Sequence, residues 1–379
     1  MTRSRETGLA MYLPGLDGLR GVACLMVFAV HFGQLAKVQG NLGPFELARL
    51  IENGNVGVAL FFALSGFLLS RPYWRSLNHG RPQPLARDFW LRRMARVVPA
   101  YFLCLTGLII VNRLWQEDSW PNDALLHYVF AFNYLDANIF SINPPFWTVA
   151  VELQFYLLLP LIFWAFGRMR PAWVAGSVAL LAFVAYVAHA VMAGTLTKDL
   201  VPGAQLSPVV TYSLLAHLPH FLLGVLTAWW ASKRQSLNWS PVEQIAPRKE
   251  AALWLAFLAL FVVLGTPLDE LFQVPFGRYN FPYVPFLLCA VIALTPQTAT
   301  GWILLQNSPL RPIGRVSYGV YLYHLPVLHW VARLMESYAQ SPHENWLMFG
   351  SISLTVTLAA ATLSYIFLEK PILRLVHLQ

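Results

Sequence analysis

Residues 16–32 read LDGLRGVACLMVFAVHF. Continued to residue 36, this apolar run is long enough to cross a bilayer core of about 30 Å, which takes about 20 residues of α-helix. Nine further apolar stretches follow, at 55–73, 94–114, 145–167, 172–193, 210–231, 251–267, 281–295, 316–335 and 346–368. Together they predict an all-α, polytopic integral membrane protein of about ten transmembrane helices. Residues 124–134 are too few to span and are expected to lie at the interface or re-enter.

Composition agrees with lipid as the main solvent. Of 379 residues, 57% are hydrophobic and only 12% charged, against roughly 25% charged in soluble domains; mean hydropathy is +0.53. One membrane domain over residues 1–379, with its core at 13–374 and no added soluble domain, accounts for the length. A net charge of +8 invites a nucleic-acid reading, but the basic residues flank apolar runs and form no patch interleaved with aromatics, so no nucleic-acid partner is expected. With the N-terminus placed in the cytoplasm, 20 of the 26 Lys and Arg residues fall on the cytoplasmic side. Lys37, Arg49, Arg113, Lys198, Arg278 and Arg333 fall outside. This positive-inside asymmetry puts both termini in the cytoplasm. Cys24, Cys104 and Cys289 lie within apolar runs and read as core residues.

Ionisable groups inside a span are costly enough that functional use is the first hypothesis. The first span holds Asp17, Arg20 and His31. Arg20 and His31 are eleven residues apart, nearly one face of a helix, with His31 roughly 16 Å further along the axis. Such a face places a guanidinium where a nucleotide phosphate arrives and an imidazole deeper, where a hydroxyl loses its proton. The plain alternative is a histidine bridging two helices and an arginine reaching for the interface.

In NPPFWTVAVELQFYLLLP, residues 143–160, Glu152 lies about two turns inside its span. His31 lies about as far from the same end of its own. A shared depth would let the carboxylate raise the basicity of the imidazole; otherwise Glu152 joins two helices or pairs with an arginine. Arg93 and Arg96, in RDFWLRRMARVVPAY, share a helix face and suit bidentate phosphate binding, although anchoring at the membrane surface alone would also place them there. Asp17, Ser65, Trp147, Tyr321 and His324 are candidates for a pore or acceptor site. Gly57, Ser65 and Gly66 also read as small groups for close helix packing. His217 and His220 lack a nearby carboxylate or thiol, and no metal site is expected. The sequence has no P-loop, GxSxG, HExxH or dinucleotide fingerprint.

Taken in order, LDGLRG with the span that carries His31, then GVALFFALSGFLL, RRMARVVPAY, FWTVAVELQFYLLLPL, SYGVYLYHLPV and FLEKP resemble the membrane-bound acyltransferase-3 family, from about residue 13 to residue 374. The resemblance implies ten helices and an acyl-CoA co-substrate at the cytoplasmic face, with acetyl-CoA the expected form and no resident cofactor. It matches Arg20 and His31 to the family's arginine and histidine on the first helix, Arg93 and Arg96 to its paired arginines, and Glu152 to its carboxylate after the tryptophan, with WTVAVE where WSLxxE is commoner. On this reading Arg20, Arg93 and Arg96 hold the coenzyme, and His31, supported by Glu152, acts as base. The acceptor is then a hydroxyl of a cell-envelope glycan, a lipid-linked glycan or a glycosylated small molecule, and the site is a bacterial inner membrane. The contrasting expectation is a transporter or flippase of a lipid-linked glycan, its charged residues lining the route.

Overall fold

The computed structural model describes residues 13–43, 45–198, 207–233, 247–265 and 284–377. The expectations for residues 1–12, for the charges at Arg234 and Arg278, and for the ends of the stretches 251–267 and 281–295 lie outside the described residues.

The described part of each of the ten apolar stretches is mainly helical. In chain order the long helices are α1 Pro14–Ala36, α2 Val56–Asn78, α3 Ala86–Val111, α4 Phe146–Phe166, α5 Pro171–Lys198, α6 Leu214–Lys233, α7 Pro247–Gly265, α8 Val284–Leu294, α9 Ser317–Ser337 and α10 Trp346–Ser364. Helices satisfy their own backbone hydrogen bonds, which a bilayer demands. Among the described residues the only strands are the two-residue pair Asn41–Leu42 and Phe45–Glu46. Residues 124–134 take in the end of a short helix, Trp120–Tyr128, a turn at 129–131 and a 3₁₀ turn, Phe132–Tyr134.

Among the described residues seven helices are long and apolar enough to cross a membrane, fewer than the ten expected. The shortfall has visible causes. α8 has only 11 residues, α7 opens on Arg248, Lys249 and Glu250, and α9 carries His324, His329 and Arg333. α3 also begins at Ala86, eight positions before the expected 94. Polar residues such as Arg87 and Arg92 propagate a helix well, so the helix extends past the apolar run that hydropathy detects.

α2 is the most buried of the spans and packs along α6. Gly66 faces the carbonyl of Phe221, and Gly224 faces the carbonyl of Ala63, so a Cβ on either would meet the opposing backbone. This reciprocal contact brings the two helices close enough for Phe62, Phe67, Phe155 and Phe221 to interlock in the core. α10 passes into a π-helical segment, Tyr365–Glu369. Glu369, three per cent exposed, sits there, its carboxylate accepting from Ser364 Oγ at 3.4 Å. A π segment inserts an extra residue per turn and shifts the side chains that follow.

Candidate functional site

Two of the cavities within the bundle hold the candidate residues and share part of their lining. One, of about 200 Å³, is lined by Arg20 from α1, Ser65 from α2, Arg93 and Arg96 from α3, Glu152 and Tyr156 from α4, and Tyr318 and Tyr321 from α9. Three guanidiniums face a single carboxylate, an arrangement that favours a multiply charged anion. Ser65 Oγ donates to Glu152 Oε1 at 2.9 Å, and Arg93 lies 6.0 Å over the Tyr156 ring. Arg20 lies in the field of Glu152, Asp17 and Arg96, and Arg96 in turn reaches the field of Glu369.

The other cavity, of about 350 Å³, is lined by His31 and Gln34 from α1, Asn55 and Val58, Phe140, Pro144 and Pro145, Trp147 from α4, Tyr212 and Tyr321. Amide, imidazole and aromatic groups converge there, the mixture that binds a polar molecule with apolar faces. Tyr321 and Val58 line both cavities. The Tyr321 hydroxyl donates to the carbonyl of Pro145 at 3.2 Å, and its ring meets Phe61 edge-on at 6.1 Å. Tyr321 and Val58 are thus the common wall between an arginine cavity and a histidine cavity.

The expected pairing of Glu152 with His31 is not what the structure shows. Glu152 belongs to the arginine cavity and holds Ser65, whereas His31 Nδ1 lies 3.1 Å from Nε2 of His324 and 3.1 Å from the carbonyl of Val27. Depth along two helices does not set their rotation, and α4 turns Glu152 toward α2 and α3. His324, buried in α9, stands where the carboxylate was expected, its ring 4.9 Å from that of His31. Arg93 and Arg96 are likewise more than surface anchors, since both line the cavity that Arg20 also lines.

Asp17 lies 3.9 Å from Nε of Arg315 and lines neither cavity. Ser65, on α2, lines the arginine cavity and not the histidine cavity. Trp147 packs between Tyr212 at 4.7 Å and His217 at 5.0 Å while it borders the histidine cavity. Tyr156 and Glu369 were not singled out from the sequence. Tyr156 is one turn past Glu152 on α4, a spacing that could have shown it, whereas Glu369, in the FLEKP segment, follows the apolar run and carried no such signal. Among the described residues no three His, Cys, Asp or Glu side chains gather as metal ligands would.

Compared with known proteins, residues 13–366 match the family model described as an acyltransferase domain, acyltransferase-3. The chain belongs to the acyltransferase-3 family. Similar members include YrhL of Bacillus subtilis (strain 168), 30% identical over 95% of this chain and 55% of that protein. The peptidoglycan O-acetyltransferase OatA of Listeria monocytogenes is 28% identical over 95% of this chain and 56% of its own length. The O-acetyltransferase OatA of Staphylococcus aureus (strain NCTC 8325) is 25% identical over 95% and 57%. The chain therefore spans just over half the length of these family members. No solved structure matches it.

Proposed function

We propose that this chain is an O-acyltransferase, moving an acyl group, acetyl by expectation, from acyl-CoA to a hydroxyl of a sugar-containing acceptor. The observation that carries this reading is the pair of cavities with one common wall. The arginine cavity suits the phosphates of a coenzyme A thioester. The histidine cavity offers a base beside aromatic and amide groups suited to a sugar. The names of the Listeria and Staphylococcus relatives support acetyl as the group, and those of the Listeria and Bacillus relatives support peptidoglycan as the acceptor. The Lys and Arg distribution supports an orientation with the arginine cavity toward the cytoplasm and both termini on that side, and the family resemblance supports a bacterial inner membrane.

In the proposed reaction Arg20, Arg93 and Arg96 hold the anionic donor, with Glu152 spacing the guanidiniums. The acyl end reaches past Tyr321 toward His31. The acceptor oxygen attacks the thioester carbonyl as its proton passes to the His31 imidazole. The carbon–sulfur bond breaks, and the thiolate takes that proton to leave as free thiol. Direct transfer needs one base; an acyl-histidine intermediate is the less economical path, and detection of acylated His31 after quenching would establish it instead.

Membranes holding the native protein or His31→Ala, at equal expression, are incubated with labelled acetyl-CoA, and label is followed into glycan, lipid and small-molecule fractions. Label in one fraction with the native protein and none with the variant is the expected result and names the acceptor class. Equal labelling by both removes His31 as base. A flippase would release no free thiol from acetyl-CoA, and that outcome would replace the enzyme reading.

A further inference from the structure

Two backbone carbonyls fix the protons on the pair of imidazoles beside the histidine cavity. Nδ1 of His324 lies 2.7 Å from the carbonyl oxygen of Tyr321. That oxygen only accepts, so Nδ1 carries the hydrogen and donates it, which in a neutral imidazole leaves Nε2 as a bare acceptor. The opposite tautomer would set two lone pairs against each other at that short distance. Nε2 of His324 in turn lies 3.1 Å from Nδ1 of His31, whose other neighbour, the carbonyl of Val27 at 3.1 Å, also only accepts. Nδ1 of His31 is therefore protonated and shares its hydrogen between the two, as three-centre bonds do. The unprotonated nitrogen of His31 is Nε2, on a residue that lines the cavity.

We infer that His324 is a positioning residue that holds His31 as the Nδ1–H tautomer, so that Nε2 is free to receive the acceptor hydroxyl's proton. This rests on the base role proposed for His31 and deepens it. When that proton arrives, His31 becomes an imidazolium whose Nδ1–H makes a charge-assisted hydrogen bond to Nε2 of His324. His324 keeps its own Nδ1–H on Tyr321, so the proton taken from the hydroxyl stays on His31 until the thiolate sulfur collects it. In serine hydrolases a buried carboxylate performs this orienting task. A neutral imidazole performs it here without placing a second charge in the apolar bundle, where an unpaired ion is costly.

The spectroscopic test is ¹⁵N NMR of the full chain labelled at histidine in lipid nanodiscs, with His31 and His324 assigned by the loss of their signals in His31→Gln and His324→Gln. Nδ1 protonated and Nε2 unprotonated on both rings is the expected result. A protonated Nε2 on neutral His31 would overturn the inference whatever the activity shows. The kinetic test is thiol release from acetyl-CoA in membranes. His324→Leu has no acceptor for His31 and should lower kcat by about 10- to 100-fold with KM for acetyl-CoA within about twofold; His324→Gln, whose amide oxygen accepts, should recover much of that loss. Equal rates for the Leu and Gln variants, with His31→Gln inactive, would also overturn it. Full activity of His31→Gln would instead sink the base role while the spectra still decide the tautomer.

Discussion

Ser65 on α2 donates its hydroxyl hydrogen to Glu152 on α4 at 2.9 Å, across 87 positions of sequence, and so fixes the one carboxylate among the three arginines of the cavity. Hydrogen bonds to charged groups contribute about 1.5–3 kcal/mol, and stripping a partner from a buried ion costs more than the bond is worth. A double-mutant cycle of Ser65→Ala and Glu152→Ala, read as the shift in unfolding free energy in detergent, should give a coupling of about 1.5–3 kcal/mol. Glu152→Ala alone should be the more destabilising single change, because it leaves Arg20, Arg93 and Arg96 facing one another. Strict additivity of the two changes would mean that the bond does not organise the cavity.

The same three arginines give a prediction about the donor. Arg93→Gln and Arg96→Gln should each raise KM for acetyl-CoA about tenfold or more, with a smaller change in kcat, as expected for loss of a charge-assisted contact worth about 1.5–3 kcal/mol. Arg92, exposed at the same helix end, should tolerate Gln with little change. A KM unchanged in all three variants would remove the coenzyme phosphates from this cavity.

Much of this arrangement was legible in the sequence. The hydrophobic stretches place all ten helices, and the eleven-residue spacing puts Arg20 and His31 on one face of α1, where Arg20 lines one cavity and His31 the other. Partnership across helices was not legible. Hydropathy and periodicity give a residue its depth and its face, whereas which neighbour that face meets depends on helix order and rotation in the bundle. Glu152 and His31 have similar depths but meet different helices, and His324, 293 positions from His31, has no local signal that names its partner. Glu369 was hidden for another reason: it follows the apolar run, where a polar residue ordinarily reaches water, and the π segment Tyr365–Glu369 instead ends with it buried.

The common wall can be opened selectively. Tyr321→Phe keeps the ring against Phe61 and loses the hydroxyl's bonds with the Pro145 carbonyl and the Thr148 side chain, each a net cost of about 0.5–1.5 kcal/mol, so acyl transfer should stay near the native rate. Tyr321→Ala removes the ring between the cavities and should raise acceptor-independent hydrolysis of acetyl-CoA relative to transfer, because water gains a path to the thioester. The measurement is the ratio of thiol released to label transferred; a ratio of one in both variants would mean that the ring does not separate the two sites.

Outside the spans, Asp123 gives a prediction in pH. Burial raises its pKa, but hydrogen bonds from His127, Asn138 at 2.8 Å and Ser141 at 2.9 Å outweigh that and hold the carboxyl below its usual value. A pKa depressed on folding stabilises the fold fully above the unfolded value of about 3.9 and loses that contribution as pH falls through the folded value. Asp123→Asn should therefore be less stable than the native protein at neutral pH, with the gap in melting temperature closing as pH drops below about 4. A gap that stays constant from pH 7 to pH 3 would show that the charge of Asp123 does not hold the segment from Trp120 to Ser141 together.

The close approach of α2 and α6 yields the sharpest structural test, since a single methyl group suffices. At Gly66 an added Cβ would meet the carbonyl of Phe221, backbone that cannot move aside as a flexible side chain does, whereas at Gly107 nothing lies within 4 Å. Overpacking of a well-filled interior costs about 1–3 kcal/mol, and here the displaced helix is α6, which helps frame the core beside both cavities. Ala in place of Gly ordinarily favours a helix by up to about 1 kcal/mol, so Gly107→Ala should be neutral or slightly stabilising. Gly66→Ala should lower both the melting temperature and the folded yield. If the two alanine variants behave alike, the α2–α6 contact is looser than its glycines imply, and the position of Ser65 one residue before Gly66 must be held by the bond to Glu152 rather than by helix packing.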